Sequence, residues 1–231
     1  MTAEPTAEQL EILRRLDGCT LANTIETFQR RLRNEGYADR TVLCLFPKMP
    51  PVLGYAATLK IRGSAPALAG PAYTESTDWW DYLLSLPPPR MVVIQDVSEQ
   101  PGRGSLIGAV HAHILRTLEC VAVVTNGVVR NVPVAEQIGL QLFAGGVSVS
   151  HAYVHIIEMG EPVEIGGLKI ASGDLLHGDV HGVQSIPRDL AARLPLAAAE
   201  IIARDQEIIA LCQSGHVSLE RLRAALARRI P

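Results

Sequence analysis

Histidine pairs mark the central part of the chain as a region where chemistry could occur. Six of the seven histidines lie between positions 111 and 181, in the pairs His111/His113, His151/His155 and His177/His181. A histidine titrates near neutral pH, so it can move protons without a metal ion. We therefore take His111 and His151 as candidate acid–base residues, together with Asp179, which the third pair flanks in a predicted glycine-rich turn. Each histidine is alternatively a structural or interface residue, and the spacing shows no three-ligand zinc geometry.

One arginine and one glycine-rich loop suggest a second kind of chemistry, the binding of anions. The planar guanidinium of Arg130 can hold a carboxylate through two parallel hydrogen bonds. The loop Gly102-Arg-Gly-Ser-Leu-Ile-Gly108 precedes a predicted helix, and N–H groups at a helix start also bind anions. In the alternative interpretation, the glycines of this loop bind nothing and only allow a tight strand-to-helix turn. A dinucleotide site is disfavoured, because the third glycine falls one residue late and the next strand ends in Thr125-Asn126, without an acidic residue.

Composition excludes several classes of protein. The chain of 231 residues has 21 basic and 24 acidic side chains, a formal charge of -3, and only 4% aromatic residues. A nucleic-acid-binding protein needs a basic face and stacking rings, so we expect no nucleic-acid partner. No apolar run approaches the roughly 18 residues that span a bilayer, and the polar start does not resemble a secretion signal. Four separated cysteines without a CxxC pair predict buried thiols in a cytoplasmic protein: Cys19, Cys44, Cys120 and Cys212.

Apolar runs and amphipathic segments predict the elements that would position these residues. Met91–Gln95 and Cys120–Thr125 are continuous apolar runs typical of buried strands, and Ser105–Leu118 between them has helical spacing. This order indicates a βαβ unit and an α/β fold with parallel pairing. Further helices are predicted over 7–33 with a break at Asp17-Gly18, over Asp78–Leu86, and from Pro187 to Pro231. Further strands are predicted at Tyr55–Arg62, Gln141–Phe143, Val147–Ile157, Glu164–Ile170 and Val183–Ile186.

Three central motifs of the chain resemble the RraA-like family. They are Thr125-Asn126-Gly127-Val128-Val129-Arg130-Asn131, Phe143-Ala144-Gly145-Gly146 and Asp179-Val180-His181-Gly182-Val183. That family includes the 4-hydroxy-4-methyl-2-oxoglutarate aldolases/oxaloacetate decarboxylases and the trimeric regulators of ribonuclease E. The resemblance implies one α/β/α (swivelling β/β/α) domain over 1–231, with a core at about 15–187 and C-terminal helices over 188–231. It also implies homotrimers or homohexamers with active sites between subunits.

The resemblance further implies a divalent metal site, from which this sequence departs at two positions. Enzymatic members carry an acidic residue, twenty intervening residues and then Arg-Asp, where the arginine holds the substrate carboxylate and the acids serve the ion. Here Arg130 is present, but Ala109 and Asn131 stand where the two acids would be. Mg²⁺ and Mn²⁺ prefer anionic oxygen ligands, so we predict no metal and no other cofactor, although an asparagine carbonyl can ligate. An imine-forming lysine is a weak alternative, since the chain offers only Lys48, Lys60 and Lys169.

Two functional hypotheses remain open. In the first, the chain is a diverged carbon–carbon lyase or proton-transfer enzyme acting on a small 2-oxo-acid-like anion. Arg130, His111, His151 and Asp179 are then the catalytic candidates, and the substrate-binding residues are Arg130, Gly108, Val110, His111 and Asn131. In the second, the chain is a non-catalytic oligomeric regulator or scaffold that binds a protein partner. The C-terminal segment, with Leu219, Leu222 and Leu226 on one side, would then be a docking helix.

Overall fold

A mixed eight-stranded sheet forms the centre of the fold. The computed structural model describes residues 4–67, 77–215 and 217–227. The helices are α1 (Ala7–Arg15), α2 (Gly18–Glu26), α3 (Asp78–Leu84), α4 (Ala109–Thr117), α5 (Val132–Gln137), α6 (Leu194–Gln213) and α7 (Leu219–Ala227). The strands are β1 (Leu43–Cys44), β2 (Val52–Arg62), β3 (Arg90–Asp96), β4 (Cys120–Val129), β5 (Gln141–Val147), β6 (His155–Met159), β7 (Val163–Ile165), β8 (Leu168–Ile170), β9 (Leu175–Asp179) and β10 (Gly182–Ile186).

Four parallel strands make up the middle of this sheet. The strand order is β1-β5-β4-β3-β2-β9-β10, with β6 paired to β2, and strands β2 to β5 run parallel to one another. The predicted βαβ unit is confirmed as β3–α4–β4. Parallel strands covered on both faces have continuous apolar sequence, and β3 and β4 are buried along most of their length. The carboxyl ends of β2 to β5 consequently meet at one edge of the sheet.

Different layers cover the two faces of the sheet. Alternate residues of the strands point to opposite faces, so Val92 and Ile94 pack with Trp79 of α3 and Leu115 of α4. On the other face, Met91 and Val93 pack against the hairpin of β7 and β8. A third cluster joins α1, α2 and the start of α6 to Leu53 and Leu175. The predicted α/β class, with helices on one face and a second β layer on the other, is confirmed.

The structure differs from the predicted elements around the glycine loop. Helix α4 begins at Ala109 rather than Ser105, because the Ser105 N–H donates to the Ser150 carbonyl and its hydroxyl donates to the Ile107 carbonyl. The predicted strand Val147–Ile157 is wrong in its middle, since β5 ends at Val147 and β6 begins only at His155. Between them, the Ser148 and Ser150 hydroxyls accept backbone N–H groups two residues further on and form turns.

The predicted glycine-rich turn around Asp179 is a pair of strands. Strands β9 and β10 pair as an antiparallel hairpin whose tip is Val180-His181. Gly178 lies within β9. A Cβ at this position would come within 2.6 Å of the Phe143 ring, so only a residue without a side chain fits there. The predicted segment Glu164–Ile170 is likewise two short strands, separated by Gly166 and Gly167 with positive φ. Strand β1 and helix α5 were not predicted from the sequence.

The remaining predictions have mixed outcomes. The break at Asp17-Gly18 is confirmed, but α2 ends at Glu26, short of the predicted residue 33. The C-terminal helices are confirmed from Leu194 to Ala227 rather than from Pro187, and residues 228–231 lie outside the described part. The prediction of buried thiols is confirmed for Cys120, and burial raises the pKa of this thiol to about 12. The prediction is wrong for Cys19 and Cys212, which are exposed. Among the described helices, none combines the length and apolar character needed to cross a bilayer. The single-domain boundary of 1–231 stays a prediction.

Candidate anion-binding site

The guanidinium of Arg130 lies against the first turn of α4. Arg130 follows directly after β4, and its N–H donates to the Ile107 carbonyl at 3.2 Å, which joins the strand end to the glycine loop. Gly108 is the residue before α4, and a Cβ there would lie 3.0 Å from Arg130 Nε and 3.1 Å from Arg130 Cζ. The absence of a side chain at position 108 therefore lets the cation rest beside the helix start. A guanidinium and the first N–H groups of a helix together favour an anion.

Asn131 links the starts of two helices. It adopts the left-handed conformation, with φ 55° and ψ 38°, and is the residue before α5. Its Oδ1 accepts the N–H of Ala109, the first residue of α4, at 3.2 Å. Asparagine is one of the few residues with a side chain that tolerates this backbone conformation. Asn131 is thus a structural support for the α4 turn, and its amide oxygen is already in use.

His111 completes the group on the same turn of α4. Its side chain is buried, and its ring centroid lies 5.9 Å from that of Trp79, with the planes tilted by 42°. Burial, and secondarily the positive charge of Arg130, lower the pKa of His111 below its ordinary value of 6.5. The imidazole is consequently neutral near pH 7 and can accept a proton. The neighbouring Val110 side chain is 71% exposed, so this residue contributes to the site through its backbone.

The buried carboxylate of Asp96 shapes the glycine loop and was not among the predicted site residues. Asp96 ends β3, and its two oxygens accept the N–H groups of Ser98 at 3.0 Å and Gly102 at 2.7 Å. Asn126 of β4 clamps the same residue, since its Oδ1 accepts the Asp96 N–H and its Nδ2 donates to the Asp96 carbonyl. An acidic residue directly after a buried apolar strand and before a glycine loop was the available signal.

His151 belongs to the turn that packs on the other side of the glycine loop. Its main chain lies against Gly104, where a Cβ would collide with the His151 carbonyl and with Ala152. The imidazole is exposed, and its Nδ1 lies 2.8 Å from the Ala152 carbonyl oxygen. The structure thus places His151 beside the loop. Of the other predicted residues, Gly108 lies against the Arg130 guanidinium, Asn131 follows Arg130 and accepts the Ala109 N–H, and His111 lies on the first turn of α4 after Gly108.

Asp179 lies at the opposite end of the sheet. Strand β9 runs antiparallel to β2, so its carboxyl end adjoins the beginning of β2, away from the end of β4 that carries Arg130. The Asp179 carboxylate accepts the Gly18 N–H at 2.6 Å and the His181 N–H at 2.8 Å. Burial opposes its ionisation, but these donors outweigh burial and hold the pKa of Asp179 below its ordinary value. Within one chain, therefore, Asp179 supports the start of α2 and does not reach Arg130.

The residues around Arg130 do not fit a divalent metal ion. Ala109 offers no side-chain donor, and the Asn131 oxygen is engaged by a backbone N–H. Across the described residues, no group of three or more His, Cys, Asp or Glu side chains could hold a metal. The lysine alternative weakens as well, because Lys60 Nζ pairs with Glu158 at 2.6 Å. The chemistry of this site accordingly rests on a guanidinium, helix N–H groups and a neutral imidazole.

The fold is an α/β sheet whose carboxyl edge carries the candidate anion-binding residues Arg130, Gly108 and His111. The family model described as RraA-like (Aldolase/RraA) matches residues 19–184, and the chain belongs to this family. No curated protein sequence matches the chain.

Solved structures share the fold at low sequence identity. An uncharacterized protein from Pseudomonas syringae pv. tomato str. DC3000 superposes with a TM-score of 0.75 at 20% identity, covering 97% of this chain and 96% of that one. RraAS2 of Streptomyces coelicolor, described as an unusual member of the RNase ES inhibitor RraA family, gives a TM-score of 0.69 at 20% identity, covering 87% and 96%. The RNA-processing inhibitor RraA from Thermus thermophilis gives 0.53 at 16% identity, covering 72% and 92%. At these identities the likeness establishes the fold alone.

Proposed function

We propose that the chain is an enzyme acting on a small 2-oxo-acid-like anion, by carbon–carbon lyase chemistry or a related proton transfer, without a divalent metal. The observation that carries the proposal is the seating of the Arg130 guanidinium at Gly108, beside the buried neutral His111. The family includes aldolases, and this arrangement keeps the anion-binding part of such a site while lacking the metal-binding part.

In the proposed reaction, these residues stabilise an enolate and then protonate it. Arg130 would hold the substrate carboxylate through its planar fork, and the N–H groups at the start of α4, including that of Val110, would face the 2-oxo group. Loss of carbon dioxide or of a carbonyl fragment leaves an electron pair that the 2-oxo oxygen takes up as an enolate. The guanidinium and the N–H groups offset that charge. In the retro-aldol case the neutral His111 takes the proton of the substrate hydroxyl and returns it to carbon, and in the decarboxylation case the proton that reaches carbon through His111 comes from water.

The reverse proton transfer gives a direct test. Pyruvate in D₂O should exchange its methyl protons in the presence of the protein and EDTA, as followed by NMR. Arg130→Ala and His111→Gln should each lower the exchange rate by about tenfold or more, in the range typical of general acid–base and electrostatic contributions. His113→Gln is the matched control, because His113 lies two residues away on α4 and is exposed. Exchange that is absent from the wild type, or equal in all four proteins, would refute the proposal.

The second candidate is a non-catalytic oligomeric regulator or scaffold. The loss of both acidic positions favours it, because a regulator does not need them. Helix α7 buries Ala225 but leaves Leu219 62% and Leu226 46% exposed, an arrangement suited to docking on another protein surface. We expect a homotrimer or homohexamer in either case, which light scattering after gel filtration would measure. Clear turnover of an oxo acid, together with failure to retain any partner, would reject the regulator hypothesis.

A further inference from the structure

A second cleft lies beside the glycine loop, on the side that faces β6. It has a volume of about 720 Å³ and is bounded by the end of β2, the first half of the loop and the turn before β6. Its lining includes Arg62, Ser98, Arg103 and Tyr153. None of these residues takes part in the Arg130 site, so the function proposed above does not use this cleft.

The scaffold of the cleft is fixed by hydrogen bonds. Asp96 holds the loop in a tight curl through the N–H groups of Ser98 and Gly102. The buried Ser98 Oγ accepts the Gly63 N–H at 2.9 Å, so its own hydroxyl proton can still be donated. Tyr153 closes the opposite wall, since its N–H donates to the Gly63 carbonyl at 3.3 Å. A recess with such fixed walls has low ordering cost on binding.

Two arginine side chains, Arg62 and Arg103, line the cleft. Neither Arg62 nor Arg103 forms an ion pair with any residue in the described ranges, whereas Lys60 of the same strand pairs with Glu158. Arg103 instead donates to the neutral Gln100 side-chain oxygen. The β2–β6 register also places His155 opposite Arg62. Glu99 is the single acidic residue among those lining the cleft, which leaves an excess of positive charge.

We propose that this cleft is a second oxyanion-binding site, which takes the carboxylate or phosphate group of a small molecule. The Arg62 guanidinium supplies a planar pair of N–H donors, and Arg103, whose Nε and Nη2 donate to Gln100, supplies donors from its Nη edge; the Ser98 hydroxyl supplies a further donor. Tyr153, a residue that is 59% exposed, provides a ring surface for the organic part of such a ligand. The site is independent of the Arg130 site, because only the backbone of the loop is shared.

Calorimetric titration with inorganic phosphate and, separately, malonate tests this proposal on the full-length protein. The double variant Arg62→Gln/Arg103→Gln should lose at least about tenfold in affinity for the probe that the wild type binds, since each charge-assisted pair of hydrogen bonds contributes about that factor or more. Comparing the two probes decides whether the cleft takes phosphate or carboxylate. Repeating the comparison in the Arg130→Ala background removes any binding at the first site, and the cleft variant should keep the wild-type rate of pyruvate exchange; these two results separate failure of this proposal from failure of the proposed function.

A matched control distinguishes a built site from general attraction to positive charge. The variant Arg15→Gln/Arg33→Gln also removes two positive charges, but outside the cleft. Arg15 lies on α1 and Arg33 follows α2, and their side chains are 73% and 84% exposed. This variant should bind the probe as the wild type does, and thermal melting of each variant should confirm folding. The proposal is overturned if the wild type binds neither probe, if the cleft variant binds with unchanged affinity, or if the control variant loses as much affinity as the cleft variant.

Discussion

Replacing Gly108 with alanine perturbs the candidate site by a single methyl group. The backbone at Gly108 has φ -125° and ψ -170°, an extended conformation that alanine adopts without strain. The new Cβ would lie 3.0 Å from Arg130 Nε and 3.1 Å from Arg130 Cζ and Nη2, which is tighter than an ordinary carbon–nitrogen contact. The guanidinium must therefore move by a few tenths of an ångström, although its charge and the rest of the side chain are unchanged.

The expected cost follows from what a charge-assisted hydrogen bond contributes. Such bonds are each worth about 1.5–3 kcal/mol, so impairing one of a bidentate pair should weaken oxalate binding roughly tenfold. Loss of the glycine before α4 should lower the free energy of unfolding by no more than about 1 kcal/mol. Titration calorimetry with oxalate measures the first quantity, and urea unfolding measures the second.

Gly146→Ala is the control for this experiment. The nearest atom to a Cβ at Gly146 is Val128 Cγ1 at 3.7 Å, an ordinary contact, and the residue does not have positive φ. The control should bind oxalate like the wild type. If Gly108→Ala also binds oxalate with unchanged affinity, the guanidinium does not hold the anion from the position seen here, and the reasoning fails.

Three further outcomes are expected. Ala109→Glu/Asn131→Asp supplies two carboxylates beside Arg130 and should bind Mn²⁺, which the wild type should not, as measured by titration calorimetry; equal binding by both proteins would contradict the metal-poor site. Asp179→Asn sets an NH₂ group against one of two backbone N–H donors, so it should lower the free energy of unfolding by about 1–3 kcal/mol in urea and leave oxalate binding intact. Because the pKa values of buried His111 and His177 lie below 6.5 in the folded state, the unfolded chain takes up protons first, and stability should fall as the pH drops below about 6.5. His111→Gln should reduce that slope, and an unchanged slope would show that His111 does not carry it.

Local sequence patterns predicted the elements that bury apolar residues on both sides. Met91–Gln95 and Cys120–Thr125 lie within β3 and β4, because continuous apolar runs fit only a covered strand. Segments whose structure depends on distant contacts were missed. In the turn between β5 and β6, the Ser148 and Ser150 hydroxyls accept nearby backbone N–H groups. The distant contact is made by the Ser150 carbonyl, which accepts the Ser105 N–H of the glycine loop. Gly178 was interpreted as a turn residue from the local sequence. It is instead a strand residue at which Phe143 fills the space that a side chain would need.

Part of the candidate site could also be predicted from the order of the apolar strands. Gly108, Arg130 and Asn131 come together because both segments follow adjacent parallel strands at the same sheet edge. The low pKa of His111 required its burial against Trp79, which the helical spacing does not reveal. The separation of Asp179 from Arg130 required the antiparallel direction of β9, and strand direction depends on the whole topology.

Binding of a small oxo-acid-like anion directly by Arg130 and the start of α4 can be measured without turnover. The most direct measurement is the calorimetric titration of oxalate into wild-type protein and Arg130→Ala, each in EDTA and in excess Mg²⁺. We expect the same affinity of the wild type for free oxalate in both conditions, and a loss of about tenfold or more in Arg130→Ala. Oxalate binding that appears only with Mg²⁺, or that survives unchanged in Arg130→Ala, would contradict this expectation.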